Sequence, residues 1–372
     1  MNKKVRILQI IHGMYLGGAE NVVFNIIKKI DTEKYEIVLC CTHGAGELGE
    51  RLIDEGYSVE VFERGIGAFQ TFKRIKAHIK KVEPDIVHTH GVSAFLAVGP
   101  LYLWNKLPPW IHTFHFGNYP HIQKSYLYGQ MIFARFAKKL IAVSESQRNA
   151  VIEHLRVKPK QISTVFNGVP NNPCVFNDEV RKEIRDEFNF SDTDLVFSCI
   201  VVFTEQKGVN YLLQAVDKVV ESAPNAKFLI VGGGPLDESL RNQASQLKHS
   251  DSVVFAGWRQ DIHQIMTAID VFVLPSLWEG LPMVLLEAMA SARPVVVTDV
   301  ADNLNVVGQG EAGYVVPPKD TKALEEAILK LALNEDDIQS MGKAALARYE
   351  SQYTVDKMVQ GYEKVYTDIL IN

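Results

Sequence analysis

The stretch PSLWEGLPMVLLEAMA, residues 275–290, decides how this chain folds. The short apolar run from Val271 to Leu274 precedes it and another from Pro294 to Thr298 follows it, so a strand, a loop, a helix and a second strand come in succession. That is the unit of a parallel sheet with crossover helices. Pro282 suits the first turn of the helix, where its missing N–H costs nothing and the amides after it stay free to face an anion. The helix is apolar except for Glu287, set among Val284, Leu285, Leu286, Ala288 and Met289. A carboxylate buried there without donors costs roughly several kcal/mol, so it needs a partner such as two adjacent hydroxyls. The alternative is a helix margin facing solvent. Glu279 lies in the loop, where helix amphipathicity does not account for it; the alternatives are a capping carboxylate and a functional one.

Working outward, the same alternation fills the chain. Strands are expected at Val5 to Ile11, Glu36 to Cys41, Ser58 to Phe62, Asp85 to Thr89, Trp110 to Phe114, Leu140 to Val143 and Ile162 to Val165. A second set is expected at Val196 to Phe203, Lys227 to Val231, Ser252 to Phe255, Val271 to Leu274, Pro294 to Thr298 and Gly313 to Val316. The fold class is α/β, with two doubly wound Rossmann-like domains. Residues 1–170 form the first domain, 171–190 a linker, 191–353 the second domain, and 354–372 a docked helix with Val355, Met358, Tyr362, Val365, Tyr366 and Ile369 at helical spacing. In such sheets ligands sit at the carboxyl ends of the strands, and the unusual loops fall there: MYLGGAE with Gly17 and Gly18, TEQKG, GGGP and PSLWEGLP. A cleft between the domains is the expected site.

Composition narrows the class. The chain has 372 residues, 47% hydrophobic and 22% charged, enough for two cored domains and unlike a disordered or disulfide-stapled chain. Four cysteines in no metal-ligand or disulfide pattern, and a start that reads as a strand, suggest a reducing, cytoplasmic setting. Val92 to Asn105 is too short, and too broken by Gly99 and Pro100, to cross a bilayer. Charge is uneven. Residues 1–170 carry 22 Lys and Arg against 14 Asp and Glu, net +8; the remainder carries 17 against 30, net −13. The front half therefore suits an anionic partner. Phe69, Phe72, Ile75, Ile79 and Val82 form an apolar helical stripe flanked by Lys73, Arg74, Lys76, Lys80 and Lys81, read either as a core-facing helix with a solvated basic margin or as peripheral contact with an anionic membrane.

Two glutamates separated by seven residues and followed by ASARPVVVTD resemble the EX7E region of the retaining glycosyltransferases of family 4, which have the two-domain GT-B fold. GGAE, PDIVHTHG, IHTFH, AVSES, NGV, TEQKG, VGGGP, FAGW and GYVVPPKD fall in that family's order, so the resemblance spans nearly the whole chain. It implies that Glu279 holds hydroxyls of the transferred sugar, Glu287 binds the nucleotide ribose, and Lys207 neutralises the donor diphosphate. Gly280, Leu281 and Pro282 lead to the helix N-terminus that assists it, where Met283 and Val284 carry N–H groups. Gly17 and Gly18 match the first-domain loop that lets backbone approach the donor, and His115 matches a histidine contacting the donor sugar. Trp258 and Arg259 lie where the family holds the base.

The reaction implied is transfer of a sugar from a nucleotide-diphosphate donor, UDP being the commonest, to a saccharide or lipid-linked acceptor in surface polysaccharide or glycolipid synthesis. Neither a metal nor another cofactor is expected, nor a nucleic-acid partner; a place at the inner face of the membrane fits the basic front half. The alternatives are a sugar-nucleotide epimerase on the same fold, a nucleotide-sugar-binding relative without activity, and a carbohydrate-binding or scaffold protein that takes sugar without nucleotide. The sequence departs from the family in three places. Val201 and Val202 stand where Gly-Arg is common, Ala292 replaces a usual glycine, and Asn305 stands for a frequent glutamate. Arg259 is one candidate to replace the missing arginine. Asp192 to Asp194 reads as a turn before a strand rather than a metal-binding pair. GGGP lacks the third glycine of a dinucleotide fingerprint. His88 and His90 are expected on opposite faces of their strand, His88 in the core and His90 at a cleft edge.

Overall fold

A computed structural model of the chain describes residues 3–65, 67–103, 105–115 and 124–371. It divides into two compact units, Met1–Gly168 with Val355–Asn372, and Val169–Thr354.

The first unit is built on seven strands, β1 (Val5–Ile11), β2 (Tyr35–Cys41), β3 (Val59–Val61), β4 (Ile86–His90), β5 (Trp110–Phe114), β6 (Lys139–Ala142) and β7 (Ile162–Thr164). Its helices are α1 (Gly18–Lys29), α2 (Gly46–Asp54), α3 (Ala68–Val82), α4 (Gly91–Val98), α5 (Lys124–Phe133) and α6 (Glu145–Leu155). The second unit has six strands, β8 (Leu195–Ile200), β9 (Ala226–Val231), β10 (Val253–Gly257), β11 (Val271–Leu274), β12 (Val295–Thr298) and β13 (Gly313–Val316). Its helices are α7 (Asp178–Glu187), α8 (Val209–Ser222), α9 (Asp237–Ser245), α10 (Ile262–Ala268), α11 (Met283–Ala290), α12 (Asn303–Val307), α13 (Thr321–Ala332) and α14 (Glu335–Gln352); the last helix, α15 (Val355–Ile371), belongs to the first unit.

Both sheets are parallel. Their orders are β3-β2-β1-β4-β5-β6-β7 and β10-β9-β8-β11-β12-β13. The central strands read as continuous apolar runs because helices cover both faces; every residue of β8, β11 and β12 is buried. In each sheet the strand order reverses at one point, between β1 and β4 and between β8 and β11. At such a point successive loops diverge to opposite sides and leave a crevice at the strand ends.

Three readings of the sequence need correction. The strand expected to run to Phe203 ends at Ile200, because the chain beyond it turns to bond the next loop, Phe203 N–H donating to Gly233 O at 2.8 Å. The segment 171–190 is part of the second unit rather than a connector. Its helix α7 carries few apolar residues and docks by ion pairs: Arg181 lies 2.6 Å and Arg185 3.3 Å from the Asp270 carboxylate, and both also reach carbonyls at the end of α10. His88 and His90 share a face, since residues two apart on a strand point the same way, and their rings lie 4.0 Å apart.

The C-terminal helix α15 docks on the first sheet with polar partners as well as apolar ones. Tyr366 OH pairs with His88 Nδ1 at 2.8 Å, and Tyr35 OH lies 3.0 Å from Thr367 Oγ1. No helix among the described residues is long and apolar enough to cross a membrane.

Candidate functional site

In the second unit the loops at the C-terminal ends of β8 and β11 are neighbours because the strands are. They are also laced together: Leu277 N–H donates to Gln206 O at 2.7 Å, and Gln206 Nε2 donates to Trp278 O at 2.9 Å. Gly208 sits at φ +62, and a Cβ there would stand 2.1 Å from Pro275 O, so the TEQKG turn closes onto the β11 loop only with glycine.

This lacing brings Lys207 to Glu279. The Lys207 ammonium donates to Glu279 Oε1 at 2.6 Å; Ser276 Oγ donates to the same oxygen at 2.7 Å, and Gln206 Nε2 approaches Oε2 at 3.4 Å. Glu279 is buried, and these donors fix where its carboxyl group points. Gln206 and Ser276 lie inside motifs that the sequence picks out, but an amide and a hydroxyl give no signal of their own. Gly280 is half-buried and Leu281 and Pro282 are buried as they lead into α11. Pro282 is the N-cap and accepts no side-chain bond, so the Met283 and Val284 amides have no acceptor within the helix.

One turn further, the Glu287 carboxylate has no hydrogen-bond partner among the described residues, and burial raises its pKa to about 7. The residue is half-buried, neither sealed in the core nor fully solvated. Arg259, by contrast, is paired with two carboxylates. Its guanidinium bonds Asp261 Oδ1 at 2.8 Å and Oδ2 at 2.7 Å and pairs with both oxygens of Glu187, which pushes its pKa further up. These two carboxylates hold the guanidinium in place and leave one Nη1 N–H without a partner in these contacts.

The GGGP glycines are explained by packing. A Cβ on Gly232 would stand 1.9 Å from Val201 O, and one on Gly234 2.9 Å from Phe203 N. They let the loops after β8 and β9 touch. Asp192 to Asp194 form the expected turn, Ser191 N–H donating to Asp194 Oδ2 at 2.7 Å. A cavity of about 700 Å³ that includes Leu195, Asn225, Asp270 and Arg293 opens at the N-terminal ends of the strands, away from Lys207.

In the first unit, Gly17 caps α1, with Asn21 N–H and Nδ2 donating to its carbonyl at 3.0 and 2.9 Å, and Gly18 opens the helix. A Cβ on Gly17 would stand 2.4 Å from Glu20 Oε2. Glu20, whose carboxyl pKa is raised by burial, is a residue that sequence reasoning passed over although it closes the GGAE motif. His115 follows β5 and its Nε2 lies 3.0 Å from His90 Nδ1. Burial lowers the His115 pKa to about 3 and pushes those of His88, His90 and His112 well down, so the cluster is neutral. No group of three or more His, Cys, Asp or Glu among the described residues is arranged to hold a metal ion.

Comparison with known proteins bears on both units. Residues 16–172 match the profile described as Glycosyltransferase Family 4, and residues 180–348 match Glycosyl transferases group 1. The UDP-Gal:alpha-D-GlcNAc-diphosphoundecaprenol alpha-1,3-galactosyltransferase of Escherichia coli is 25% identical, the alignment covering 100% of this chain and 99% of that protein. The N-acetyl-alpha-D-glucosaminyl L-malate synthase of Bacillus anthracis is 30% identical over 62% of this chain and 59% of its own length. Among solved structures, Anabaena HepE in complex with UDP superposes with a TM-score of 0.87 at 20% identity, covering 98% of this chain and 100% of that one. WaaG, a glycosyltransferase involved in lipopolysaccharide biosynthesis, gives 0.73 at 16% identity, with 96% and 99% covered. The two parallel-sheet units have the GT-B fold of these proteins.

Proposed function

From the premise that this chain is a glycosyltransferase of family 4, we propose that it transfers a sugar from a UDP-sugar, with retention at the anomeric centre, to a saccharide or lipid-linked acceptor in surface polysaccharide or glycolipid synthesis. The second unit binds the donor and the first receives the acceptor. The observation that carries this reading is the Lys207–Glu279 pair lying on the loops that lead to an open helix N-terminus and an unpartnered Glu287.

The chemistry follows from charge. Breaking a nucleotide-sugar bond builds negative charge on the leaving diphosphate and positive character at the anomeric carbon. The Lys207 ammonium has three N–H donors and gives one to Glu279, so others remain for phosphate oxygens, with the Met283 and Val284 amides beside them. This stabilises the leaving group without calling on a metal. Glu279, fixed by Ser276 and Lys207, accepts from sugar hydroxyls. Glu287 accepts from the two ribose hydroxyls, which supply the donors its buried carboxylate lacks. Gly17, Gly18 and the neutral His115 are the first unit's groups for the sugar, and the leaving phosphate takes the acceptor proton in a front-face reaction.

The Escherichia coli relative is named for a UDP-galactose donor and a diphosphoundecaprenol-linked acceptor, and HepE is described with UDP; both favour a UDP donor here, and the first favours an acceptor at a membrane surface. The basic first unit would then contact anionic lipid at the inner face of the membrane. A thermal-shift comparison of UDP, GDP and ADP sugars tests the donor, with about 2.7 kcal/mol of stabilisation expected at 100 times the dissociation constant. Preference for GDP or ADP would overturn the UDP assignment, and a product of inverted anomeric configuration by NMR would overturn retention. Isomerised donor formed without acceptor would make the chain an epimerase.

A further inference from the structure

We propose that the outer face of α5 and the turn after it is the surface through which this protein binds an anionic lipid bilayer. The inference rests on the reading of a membrane-borne acceptor and says where the protein meets the membrane.

Two independent observations converge on this face. The first is exposure. Tyr126, Tyr128, Ile132 and Phe136 are 45%, 62%, 53% and 42% exposed, four large apolar side chains within eleven residues. Tyr128, Ile132 and Phe136 are spaced by four, so they line up along one side, while Leu127, Met131 and Phe133 on the other side pack against the core. The inner face is fully used: a Cβ on Gly129 would stand 2.7 Å from Leu96, and Phe133 fills the space beside Gly99. The outer aromatics are thus surplus to folding, and a cluster of this kind marks an interaction surface.

The second is charge. From residue 86 to residue 144 the chain has no Asp or Glu at all, although it carries 44 in 372 residues. The same stretch holds Lys106, Lys124, Arg135, Lys138 and Lys139. Lys124, Arg135 and Lys138 are exposed around the apolar stripe. Tyrosines, an aliphatic and a phenylalanine flanked by cations, with no acid in their own stretch of chain, suit the headgroup boundary of an anionic membrane: rings sit at the interface and basic side chains reach phosphates. A second copy of this chain is a poor occupant, because a twofold contact would set these cations against one another.

The α3 helix differs. Its Ile75 and Ile79 are buried and only Phe69 stands out, with Lys73 Nζ 4.5 Å from its ring centroid. The basic helix picked out from sequence is therefore mainly a core-facing one, and α5 is the helix that leaves its apolar face uncovered. It also follows the strand β5 whose end carries His115, so a lipid-linked acceptor would enter the first unit near that end.

The full chain, without sugar nucleotide, is sedimented with vesicles of phosphatidylglycerol and phosphatidylcholine, and with phosphatidylcholine alone. Binding to the first, release by high salt and little binding to the second are expected. The triple variant Tyr128→Ser, Ile132→Ser, Phe136→Ser loses at least about tenfold in partition, as does Arg135→Glu with Lys138→Glu, while Phe69→Ser binds as the wild type does. An unchanged far-UV circular dichroism spectrum and melting temperature in each variant show that the fold is kept. Wild type left in the supernatant, a triple variant that binds like wild type, or equal loss with Phe69→Ser would overturn the proposal. So would a concentration-dependent dimer that the triple variant abolishes, which would give this face to a second copy. Because vesicles are the only ligand, failure here is separate from failure of the donor assignment.

Discussion

The Lys207 ammonium and the Glu279 carboxylate, 72 residues apart in sequence, are 2.6 Å apart in the fold, with side chains 19% and 6% exposed. The pair has both a structural and a functional part, and they separate by substitution. Lys207→Ala strands a buried carboxylate and should cost about 3 kcal/mol in urea denaturation, whereas the double variant Lys207→Met, Glu279→Leu, which removes both charges, should recover most of that. Neither recovers turnover: transfer should fall at least about 100-fold in both. A double variant that is stable and active would remove the pair from the site.

The Glu287 carboxyl has its folded pKa raised to about 7 by burial against an ordinary value of 4.5. The sign follows directly. Below pH 4.5 the group is neutral in folded and unfolded chains alike and its contribution is fully present; as pH rises through about 7 the buried carboxylate must ionise without a donor, and stability is lost. The ligand-free protein should therefore lose melting temperature between those two values, and Glu287→Gln should flatten that slope while weakening nucleotide binding. Binding of UDP near pH 6.5 should release a proton, detectable by calorimetry in buffers of different ionisation enthalpy. Proton uptake would sink the ribose assignment.

Ala292 sits at φ +56, in the left-handed region, where the family usually has glycine. The left-handed conformation costs an L-residue about 1–2 kcal/mol, and glycine gives back about 0.4–1 kcal/mol through its freer unfolded chain. Strain wins. Ala292→Gly should raise unfolding free energy by roughly 0.5 kcal/mol in urea titration, and a loss would mean that the Ala292 methyl is needed for packing.

The alternation of buried strands was legible because both sheet faces are covered, so β8, β11 and β12 read as unbroken apolar runs. What sequence conceals is contact between distant loops. Lys207 and Glu279 were each identifiable, yet their pairing follows from β8 lying beside β11. The α7 segment looked like a linker because Arg181 and Arg185 fix it by charge and not by an apolar stripe. The engagement of Arg259 with Glu187 was equally hidden, since its partner lies on that same misread helix. The His88 and His90 error had another cause, a wrong application of strand periodicity, which the contact between their rings, tilted 40° at 4.0 Å, corrects.

Val202, 44% exposed just past the end of β8, occupies the position where the family commonly has a diphosphate-binding arginine. On the proposed reading Lys207 meets the diphosphate together with the α11 amides, while Arg259 is paired with Asp261 and Glu187. Val202→Arg should therefore gain a charge-assisted bond to phosphate. Such bonds contribute about 1.5–3 kcal/mol, so UDP should bind roughly tenfold tighter by calorimetry. The exposed position needs no repacking, and melting temperature without ligand should stay the same. The gain should also vanish in the Lys207→Ala background if both cations grip one diphosphate, and an equal gain with uridine, which has no phosphate, would show that the new arginine acts elsewhere.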